Sequence, residues 1–376
     1  MDSKEFLDAL NLVAKEKGID FAVVAPDDPL VLGMVDALNA IGIPCFGPDK
    51  KAAILEGSKV FSKNLMKKYG IPTAAYEVFD DMEKALAYLE TAPLPTVVKA
   101  DGLALGKGVI IAETKEQAQD AVRSMMADKV FGASGDHVVI EEFMTGPEVS
   151  VLAFTDGKTM VPMVSAMDHK RALDGDKGLN TGGMGTIAPN PFYTEAVAKE
   201  CMEKIFVPTM EAMNKEGRTF KGCLFFGLMI TPAGPKVIEY NCRFGDPETQ
   251  VVLPLLESDL LTIMQAVAAE KLADVEVKFS DKAACCVIMA SAGYPQSYEK
   301  GFPITLPEKD QLIFVAGAKK EDGKLLTNGG RVLGVTEIAD TLPEAIAKSY
   351  EAVKTVKFDN AFYRNDIGKK ALAAEV

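Results

Sequence analysis

The sequence predicts an α/β protein with a small α+β unit at its C-terminal end. Three observations predict this class. Helix and strand patterns alternate at the start, strands and helices separated by glycine-bearing turns fill the middle, and further strands with one helix follow residue 271. At 376 residues the chain can form two or three cores. We expect domains at 1–54, 55–270 and 271–376, with a mobile subdomain at about 75–145.

The first part of the chain shows one strand–helix–strand unit of a parallel sheet, preceded by a helix. Its predicted elements are a helix Asp2–Lys17, a strand Phe21–Ala25, a helix Pro29–Ile41 and a strand Ile43–Phe46. A parallel sheet needs several neighbours and two covered faces, so these two apolar strands form only the remnant of an α/β domain. We therefore expect this part to be mobile or to self-associate.

The middle and last parts follow the same periodicities. Predicted helices are Asp49–Tyr69, Asp81–Leu89, Thr114–Met126, Thr194–Glu216, Ser258–Glu270 and Leu342–Val353. Predicted strands are Ala75–Phe79, Pro95–Ala100, Gly108–Ala112, His137–Phe143, Lys221–Ile230, Lys236–Arg243, Ala283–Ala290, Gln311–Gly317 and Arg331–Thr336. A long polar segment, Asp168–Gly185, is predicted to be a loop.

Composition excludes several classes of function. A net charge of −13 argues against a nucleic-acid partner, because phosphate backbones require a basic surface. No apolar run is long enough to span a bilayer, and the start MDSKEFLDAL is not a signal peptide, so we expect a cytoplasmic protein without membrane contact. Six scattered cysteines and two histidines indicate neither a disulfide framework nor a zinc site.

The segment KVIEYNCR carries an unusual set of side chains for an apolar strand. Alternation places Glu239, Asn241 and Arg243 on one face. Carboxylate and amide oxygens suit Mg²⁺, and a guanidinium beside them could grip a phosphate or carboxylate oxygen. The alternative is a solvent-facing polar edge. The following FGDPE, with a turn and two more carboxylates, favours the site.

Two lysines flank a glycine-bearing turn in VVKADGLALGKGV. Lys99 ends one strand and Lys107 begins the next, so the turn could present N–H groups and ammoniums to phosphate oxygens. The spacing is not that of a Walker A loop. A plain β-turn is the alternative.

The next strand ends in VVIEEF, followed by a turn and Glu148. A strand end with a following carboxylate can hold an adenine through backbone groups and a ribose through the acid, which makes Glu141, Glu142, Phe143 and Glu148 candidates for binding a nucleotide. For one of Glu141 and Glu142, a solvated strand end is the alternative.

The predicted loop at 168–185 begins with Asp168-His169-Lys170-Arg171 and continues into NTGGMG. Long loops inside compact domains are often functional. Its cations would meet a phosphate if the loop closed over the site, with the glycines as hinges.

Taken together, VVKADGLALGKGV, VVIEEF..GPEVS, DHKR....NTGGMG and KVIEYNCRFGDPETQ resemble the ATP-grasp superfamily. Within it, they look like the phosphoribosylamine–glycine ligase family of purine biosynthesis, also called glycinamide ribonucleotide synthetases. GPDKKAAILEGSK, TNGGRVL and FDNAFYRNDIG extend the resemblance over nearly the whole chain. It implies an ATP-grasp fold and an enzyme that joins glycine to 5-phosphoribosylamine through glycyl phosphate.

The resemblance also implies roles for single residues. Lys99 and Lys107 would hold ATP phosphates, Glu141 to Phe143 would lie by the adenine, and Glu148 would bind the ribose. Glu239 and Asn241 would carry Mg²⁺ or Mn²⁺. Arg243, Asp168 and Lys170, with His169 between the last two, would address the reacting phosphate and the glycine. Phosphoryl transfer depends on positioning and charge neutralisation, which agrees with this set.

The resemblance has two departures on the side of the amine substrate. The family's glycine-rich G-x-G-G-R-E-H segment is not in the sequence, and its G-P-E-x-P-L element reads Ala25-Pro26-Asp27-Asp28-Pro29-Leu30. Two alternatives therefore stay open: an ATP-grasp ligase for another amine, and a non-catalytic nucleotide-binding fragment. We expect weak activity with phosphoribosylamine from the chain as it stands, and a monomer if the first domain were complete.

Overall fold

The computed structural model describes residues 3–103, 108–128, 130, 132–308 and 311–374. Helices lie at α1 Ser3–Glu16, α2 Asp27–Leu32, α3 Met34–Ala40, α4 Lys50–Gly57, α5 Lys59–Tyr69, α6 Met82–Leu89, α7 Lys115–Met126, α8 Glu195–Cys201, α9 Val207–Lys215, α10 Thr249–Val252, α11 Leu260–Ala268, α12 Leu342–Val353 and α13 Lys369–Ala374.

Strands alternate with these helices, as the predicted α/β class requires. They are β1 Ala22–Val23, β2 Cys45–Phe46, β3 Tyr76–Phe79, β4 Thr96–Ala100, β5 Val109–Ala112, β6 Val138–Glu142, β7 Glu148–Thr155, β8 Met160–Pro162, β9 Met167–Asp168, β10 Arg171–Leu173, β11 Lys177–Asn180, β12 Gly185–Ala188, β13 Gly222–Thr231, β14 Gly234–Asn241, β15 Ala283–Ser291, β16 Leu312–Val315, β17 Ala318–Glu321, β18 Lys324–Thr327, β19 Arg331–Ala339 and β20 Ala361–Phe362. In the part of the chain so described, no helix is long and apolar enough to cross a membrane.

Three helices predicted as continuous are interrupted. Gly33 breaks the first at a left-handed φ of 99°, which glycine adopts without strain, so α2 and α3 replace one helix. Ser58 is extended and its side chain accepts from the N–H of Phe61, which caps α5 and ends α4. Between α8 and α9, residues Met202–Phe206 form a π-helical turn. Local backbone features therefore divide three helices that the hydrophobic periodicity predicts as continuous.

Two antiparallel sheets frame the centre of the molecule. The small sheet has the strand order β3-β6-β4-β5 and is covered by α6 and α7. The main sheet has the order β14-β13-β7-β8. Its core is shared with α4 and α5 and with α8 and α9, which bury a continuous cluster of apolar side chains. β14, which carries KVIEYN, is the edge strand of the main sheet.

A third sheet, β16-β19-β15-β12-β9 with β20 beside β15, forms the C-terminal unit, and α12 packs against its central strands. β1 and β2 make a separate parallel pair, with Ala22 opposite Cys45. The predicted strands in both regions are therefore present, some of them shorter or longer than the pattern indicated.

The prediction of a long flexible loop at 168–185 was wrong. β10 and β11 form an antiparallel hairpin there, and β9 and β12 join it to the C-terminal sheet. The hairpin is held from the far end of the chain. Arg364, 2% exposed, donates to both oxygens of Asp366 and to the carbonyl of Arg171, and pairs with Asp176 at 2.9 Å.

His169 belongs to this anchorage and not to a phosphate site. It is buried, its Nδ1 donates to the carbonyl of Gly185, and its Nε2 accepts from the N–H of Gly368 at 3.0 Å. Burial lowers the pKa of His169 to about 4, so the ring is neutral near pH 7. The side chain predicted to meet phosphate therefore acts as a structural link between the hairpin and the C-terminal unit.

We predict that Arg364→Met lowers the free energy of unfolding by about 3–5 kcal/mol, because it leaves Asp366 and Asp176 without their buried cation. Urea denaturation measures the loss. Lys370→Met is the matched control: Lys370 also pairs with Asp176, but its side chain is 71% exposed, and such pairs contribute about 1 kcal/mol or less. Equal effects of the two variants would contradict the assignment of Arg364 as the anchor.

Candidate active site

The candidate site is a cavity of about 100 Å³ between the small sheet, α4 and α5, and the edge strand β14. Its lining is dominated by charged groups of both signs. The lining residues are Asp27, Leu55, Glu56, Lys59, Ser62, Lys63, Lys99, Gly102, Leu103, Gly108, Val109, Glu141, Ile238, Glu239, Tyr240, Asn241 and Arg243.

Strand β14 presents the predicted face to this cavity. Glu239, Asn241 and, just after the strand, Arg243 line it, while Tyr240 and Cys242 belong to the main core and Tyr240 also borders the cavity. Ile238, predicted on the core face, lines the cavity instead. A β-bulge lies at Ile238, since Gly227 pairs with Glu239 and Leu228 with Val237. The bulge leaves the Ile238 carbonyl free to accept from a side chain of the small sheet.

Lys99 provides that link. Its ammonium is buried and donates to the carbonyl of Ile238 at 3.2 Å, and it pairs with Oε2 of Glu141 at 3.0 Å. Lys63 pairs with the same oxygen at 3.1 Å. Oε1 of Glu141 has no hydrogen-bond partner among the described residues. The two lysines therefore share one carboxylate oxygen at the junction of the sheets.

The cavity contains further lysines that the sequence analysis did not single out. Lys59 donates to the carbonyl of Gly102 at 2.5 Å, and burial lowers its pKa below the ordinary value. Burial also lowers the pKa of Lys63 to about 8, although Glu141 acts in the opposite direction. GPDKKAAILEGSK was a usable signal for Lys59, but Lys63 lies outside that motif. Lys107, predicted beside Lys99, lies outside the described residues.

Glu142 and Phe143, which follow Glu141, are not among the lining residues of the cavity. Glu142 accepts from Lys236 at 2.8 Å and from the N–H of Ala75, and the bond from Lys236 lowers the pKa of its carboxyl group. Phe143 is 38% exposed. Glu141 is thus the buried member of the Glu141–Glu142 pair and Glu142 the partly solvated one.

Lys170 connects two of the predicted ligands. Its ammonium lies 3.5 Å from Glu148 and 3.7 Å from Glu239. The Glu148 carboxylate raises the pKa of Lys170 in spite of burial, and Glu239 adds to the rise. Burial would raise the pKa of Glu239, but Lys170, Lys99 and other cations outweigh it and hold it below its ordinary value. Glu239 is therefore ionised at neutral pH.

Asp168 ends β9, two residues before Lys170. Its Oδ1 accepts from the N–H of His169 at 2.7 Å. Burial raises the pKa of Asp168 well above its ordinary value, and the neighbouring Glu248 carboxylate adds to the rise. Glu248 accepts from Ser150 at 3.0 Å. The carboxylates after β14 are evident in the sequence, but the proximity of Glu248 to Asp168 is evident only in the folded structure.

Arg243 forms an ion pair with Glu56 of α4. One of its nitrogens lies 3.4 Å from Oε1 of Glu56, and Oε2 of Glu56 accepts from the N–H of Cys242 at 2.6 Å. Burial raises the pKa of Glu56 to about 7, although Arg243 and the Cys242 N–H lower it. The Glu56 carboxylate thus contacts both the backbone just after β14 and the Arg243 guanidinium beside the predicted metal ligands.

The C-terminal unit also contacts this region. Arg331 on β19 donates to the carbonyl of Gly182 at 2.7 Å and pairs with Asp246 at 2.9 Å. A Cβ at Gly182 would lie 2.9 Å from the guanidinium carbon of Arg331, so a larger residue there would displace the end of the Arg331 side chain. NTGGMG, FGDPE and TNGGRVL therefore meet at one place.

Glu239 and Asn241 fit a hard divalent cation. Both supply oxygen atoms to the cavity, and the Glu239 carboxylate is charged. Among the residues that the structure describes, no group of three or more His, Cys, Asp or Glu side chains could hold a metal. An ion at this position would need the remaining ligands from a bound phosphate or from water.

Comparison with known proteins agrees with these motifs along the whole chain. Models of phosphoribosylglycinamide synthetase match as an N domain over 1–56, an ATP-grasp (A) domain over 57–249 and a C domain over 284–370. A phosphoribosylamine–glycine ligase of Fusobacterium nucleatum is 47% identical over 367 residues, which cover 96% of this chain and 86% of the relative. The phosphoribosylamine–glycine ligase of Halalkalibacterium halodurans is 48% identical over 374 residues, which cover 99% of this chain and 87% of the relative.

Solved structures give the same result. The crystal structure of a phosphoribosylamine–glycine ligase from Thermotoga maritima matches with a TM-score of 0.80 and 40% identity, over 86% of this chain and 81% of that one. A biotin carboxylase domain from Hydrogenobacter thermophilus, solved with MgADP, matches with a TM-score of 0.74 over 95% and 78% of the two chains. At 15% identity, that second likeness shows the fold alone. The predicted ATP-grasp fold is confirmed, and the chain belongs to the phosphoribosylglycinamide synthetase family.

Proposed function

We propose that this chain is a phosphoribosylamine–glycine ligase of purine biosynthesis. It would join glycine to 5-phosphoribosylamine with ATP, and release glycinamide ribonucleotide, ADP and phosphate. The observation that carries the proposal is the cavity in which Lys59, Lys63 and Lys99 face Glu239 and Asn241. Relatives with this name, 47–48% identical over nearly the whole chain, support the choice of substrates.

The nucleotide binds between the two sheets in this proposal. Lys99, with Lys107, takes phosphate oxygens, because an ammonium near a metal-bound phosphate neutralises the charge that develops on transfer. Glu141, Glu142 and Phe143 lie by the adenine, and Glu148 accepts from the ribose hydroxyls. Glu239 and Asn241 would hold Mg²⁺ or Mn²⁺, which would supply charge neutralisation when bound.

The acceptor lies toward the hairpin. Arg243 and Lys170 attract the glycine carboxylate, whose oxygen attacks the γ-phosphorus of ATP as the bond to ADP breaks. The amine of phosphoribosylamine then attacks the carbonyl carbon of glycyl phosphate, and the carbon–oxygen bond to phosphate breaks. Asp168 accepts hydrogen bonds from the glycine amino group in this arrangement. No side-chain nucleophile is needed, because positioning and charge neutralisation supply the catalysis.

The direct test measures ADP release. We expect ADP formation that requires both glycine and phosphoribosylamine, in equal amounts with glycinamide ribonucleotide. Release of ADP with a different amine, and none with phosphoribosylamine, would contradict the choice of amine and favour another ligase of the fold. Binding of ATP without turnover of any amine in a panel would contradict the assignment as an enzyme.

A further prediction concerns β14, the strand that carries the proposed metal ligands Glu239 and Asn241. Glu239→Gln keeps the shape of the side chain and removes its charge, so we expect a fall in ligation rate of about a hundred-fold or more with an unchanged melting temperature. Steady-state kinetics at saturating MgATP measure it. Glu276→Gln, at an exposed position, is the control and should leave the rate unchanged. Normal ligation by the Glu239 variant would show that the charge is not needed.

A further inference from the structure

The Lys63–Glu141–Lys99 cluster is unusual because two buried cations contact one carboxylate oxygen. Lys63 and Lys99 lie 3.1 and 3.0 Å from Oε2 of Glu141, and the side chains of Lys63 and Glu141 are each 3% exposed. Oε1 has no partner in the described part of the chain. A carboxylate with two cations remains paired if one of them leaves.

The two lysines lie on different elements of the fold, Lys63 on α5 and Lys99 on β4. Lys63 lies on α5 and donates to Thr73 at 2.7 Å, and the Thr73 hydroxyl donates to the carbonyl of Val237 on β14 at 2.7 Å. Lys63 is thereby tied to the main sheet. Lys99 and Glu141 lie on β4 and β6 of the small sheet. Each lysine has one further hydrogen-bond partner, the Thr73 hydroxyl for Lys63 and the Ile238 carbonyl for Lys99.

We infer that Lys63 is a positioning residue of the nucleotide site: it neutralises and holds Glu141 so that the Lys99 ammonium can move to a phosphate oxygen. This inference rests on the proposed function, which takes Lys99 as a phosphate ligand. Without Lys63, the movement of Lys99 would leave a lone buried carboxylate beside an incoming polyphosphate, and an unpaired buried charge is strongly unfavourable. With Lys63 in place, Lys99 exchanges its contact with Glu141 for one with a phosphate oxygen, and Glu141 stays paired with Lys63.

Lys63 also lines the cavity, so a direct contact with the nucleotide is the competing account. The two accounts differ in how Lys63 depends on Glu141. If Lys63 acts through Glu141, its removal has no effect once the carboxylate is neutral. If it contacts the nucleotide, its removal costs the same with or without Glu141.

The experiment is a double-mutant cycle on MgATP affinity, measured by calorimetry without glycine or amine. We expect Lys63→Met to weaken binding about ten-fold, which is about 1.4 kcal/mol. Added to Glu141→Gln, the same change should alter the affinity by less than about two-fold. Lys67→Met, one turn further along α5 at an exposed position over Tyr76, is the matched control and should bind normally.

A pH series gives a second readout that a purely structural role would not change. The charged and titratable groups facing Lys63 are Glu141, Lys99, Glu142 and Tyr76. The pKa of Lys63 is about 8 because burial lowers it. As pH rises through that value Lys63 loses its charge, so MgATP affinity of the unchanged protein should fall. The fall should be smaller in the Lys63→Met, Glu141→Gln double variant, in which Lys59 and Glu56 of the same cavity still titrate.

Three results would overturn the inference. They are normal MgATP affinity in Lys63→Met, an equal loss of affinity on Lys63→Met in the unchanged protein and in Glu141→Gln, or a pH dependence in the double variant equal to that of the unchanged protein. If Lys63→Met does not fold, comparison of Glu141→Gln with the double variant decides, since a ten-fold difference refutes it and equality supports it. The proposed function is tested separately. The cycle can hold in a protein that ligates no amine, and a fully active ligase can show normal affinity in Lys63→Met.

Discussion

The carboxylate of Glu141 joins the two sheets between which the candidate site lies. It accepts from Lys99 of its own small sheet and from Lys63 of α5, while Lys99 also reaches the Ile238 carbonyl of the main sheet. The side chains of Glu141, Lys63 and Lys99 are buried and contact one another. The distance between the lysine predicted to bind phosphate and the strand predicted to bind metal therefore depends on this one junction.

Charge is distributed in the molecule in a way that suits an anionic substrate. The chain as a whole carries a net charge of −13, yet Lys59, Lys63, Lys99 and Arg243 line a single cavity. Each of these cations has a carbonyl or carboxylate partner. A polyphosphate would have to replace some of these partners, and Glu141 would stay paired only if one of its two lysines remained in contact with it.

The sequence predicted the features that depend on local rules. From Glu239 onward, alternation places Glu239, Asn241 and Arg243 on the cavity and Tyr240 in the core, while Ile238 departs from the strand period of two at the bulge. The ATP-grasp fold followed from the order of the motifs. The breaks at Gly33 and Ser58 were also encoded locally, by a left-handed glycine and a serine cap, but the longer hydrophobic pattern obscured them.

Features that depend on distant partners could not be predicted. The hairpin at 171–180 reads as a polar glycine-rich loop, and its order comes from Arg364 and Asp366, far along the chain. Lys63 is one of several lysines on an amphipathic helix, and only the folded structure places it against Glu141. The bulge at Ile238, which frees a carbonyl for Lys99, has no evident signal in KVIEYN.

In the proposed reaction, the γ-phosphate of ATP passes to the carboxylate of glycine before the amine attacks. Ligation with glycine labelled with ¹⁸O in its carboxylate tests this most directly, because the oxygen that attacks phosphorus leaves with the phosphate. Mass spectrometry of the released phosphate should find one ¹⁸O atom for each molecule of glycinamide ribonucleotide formed. Unlabelled phosphate from a reaction that consumes labelled glycine would contradict the acyl-phosphate route and the placement of glycine beside the transferring phosphate.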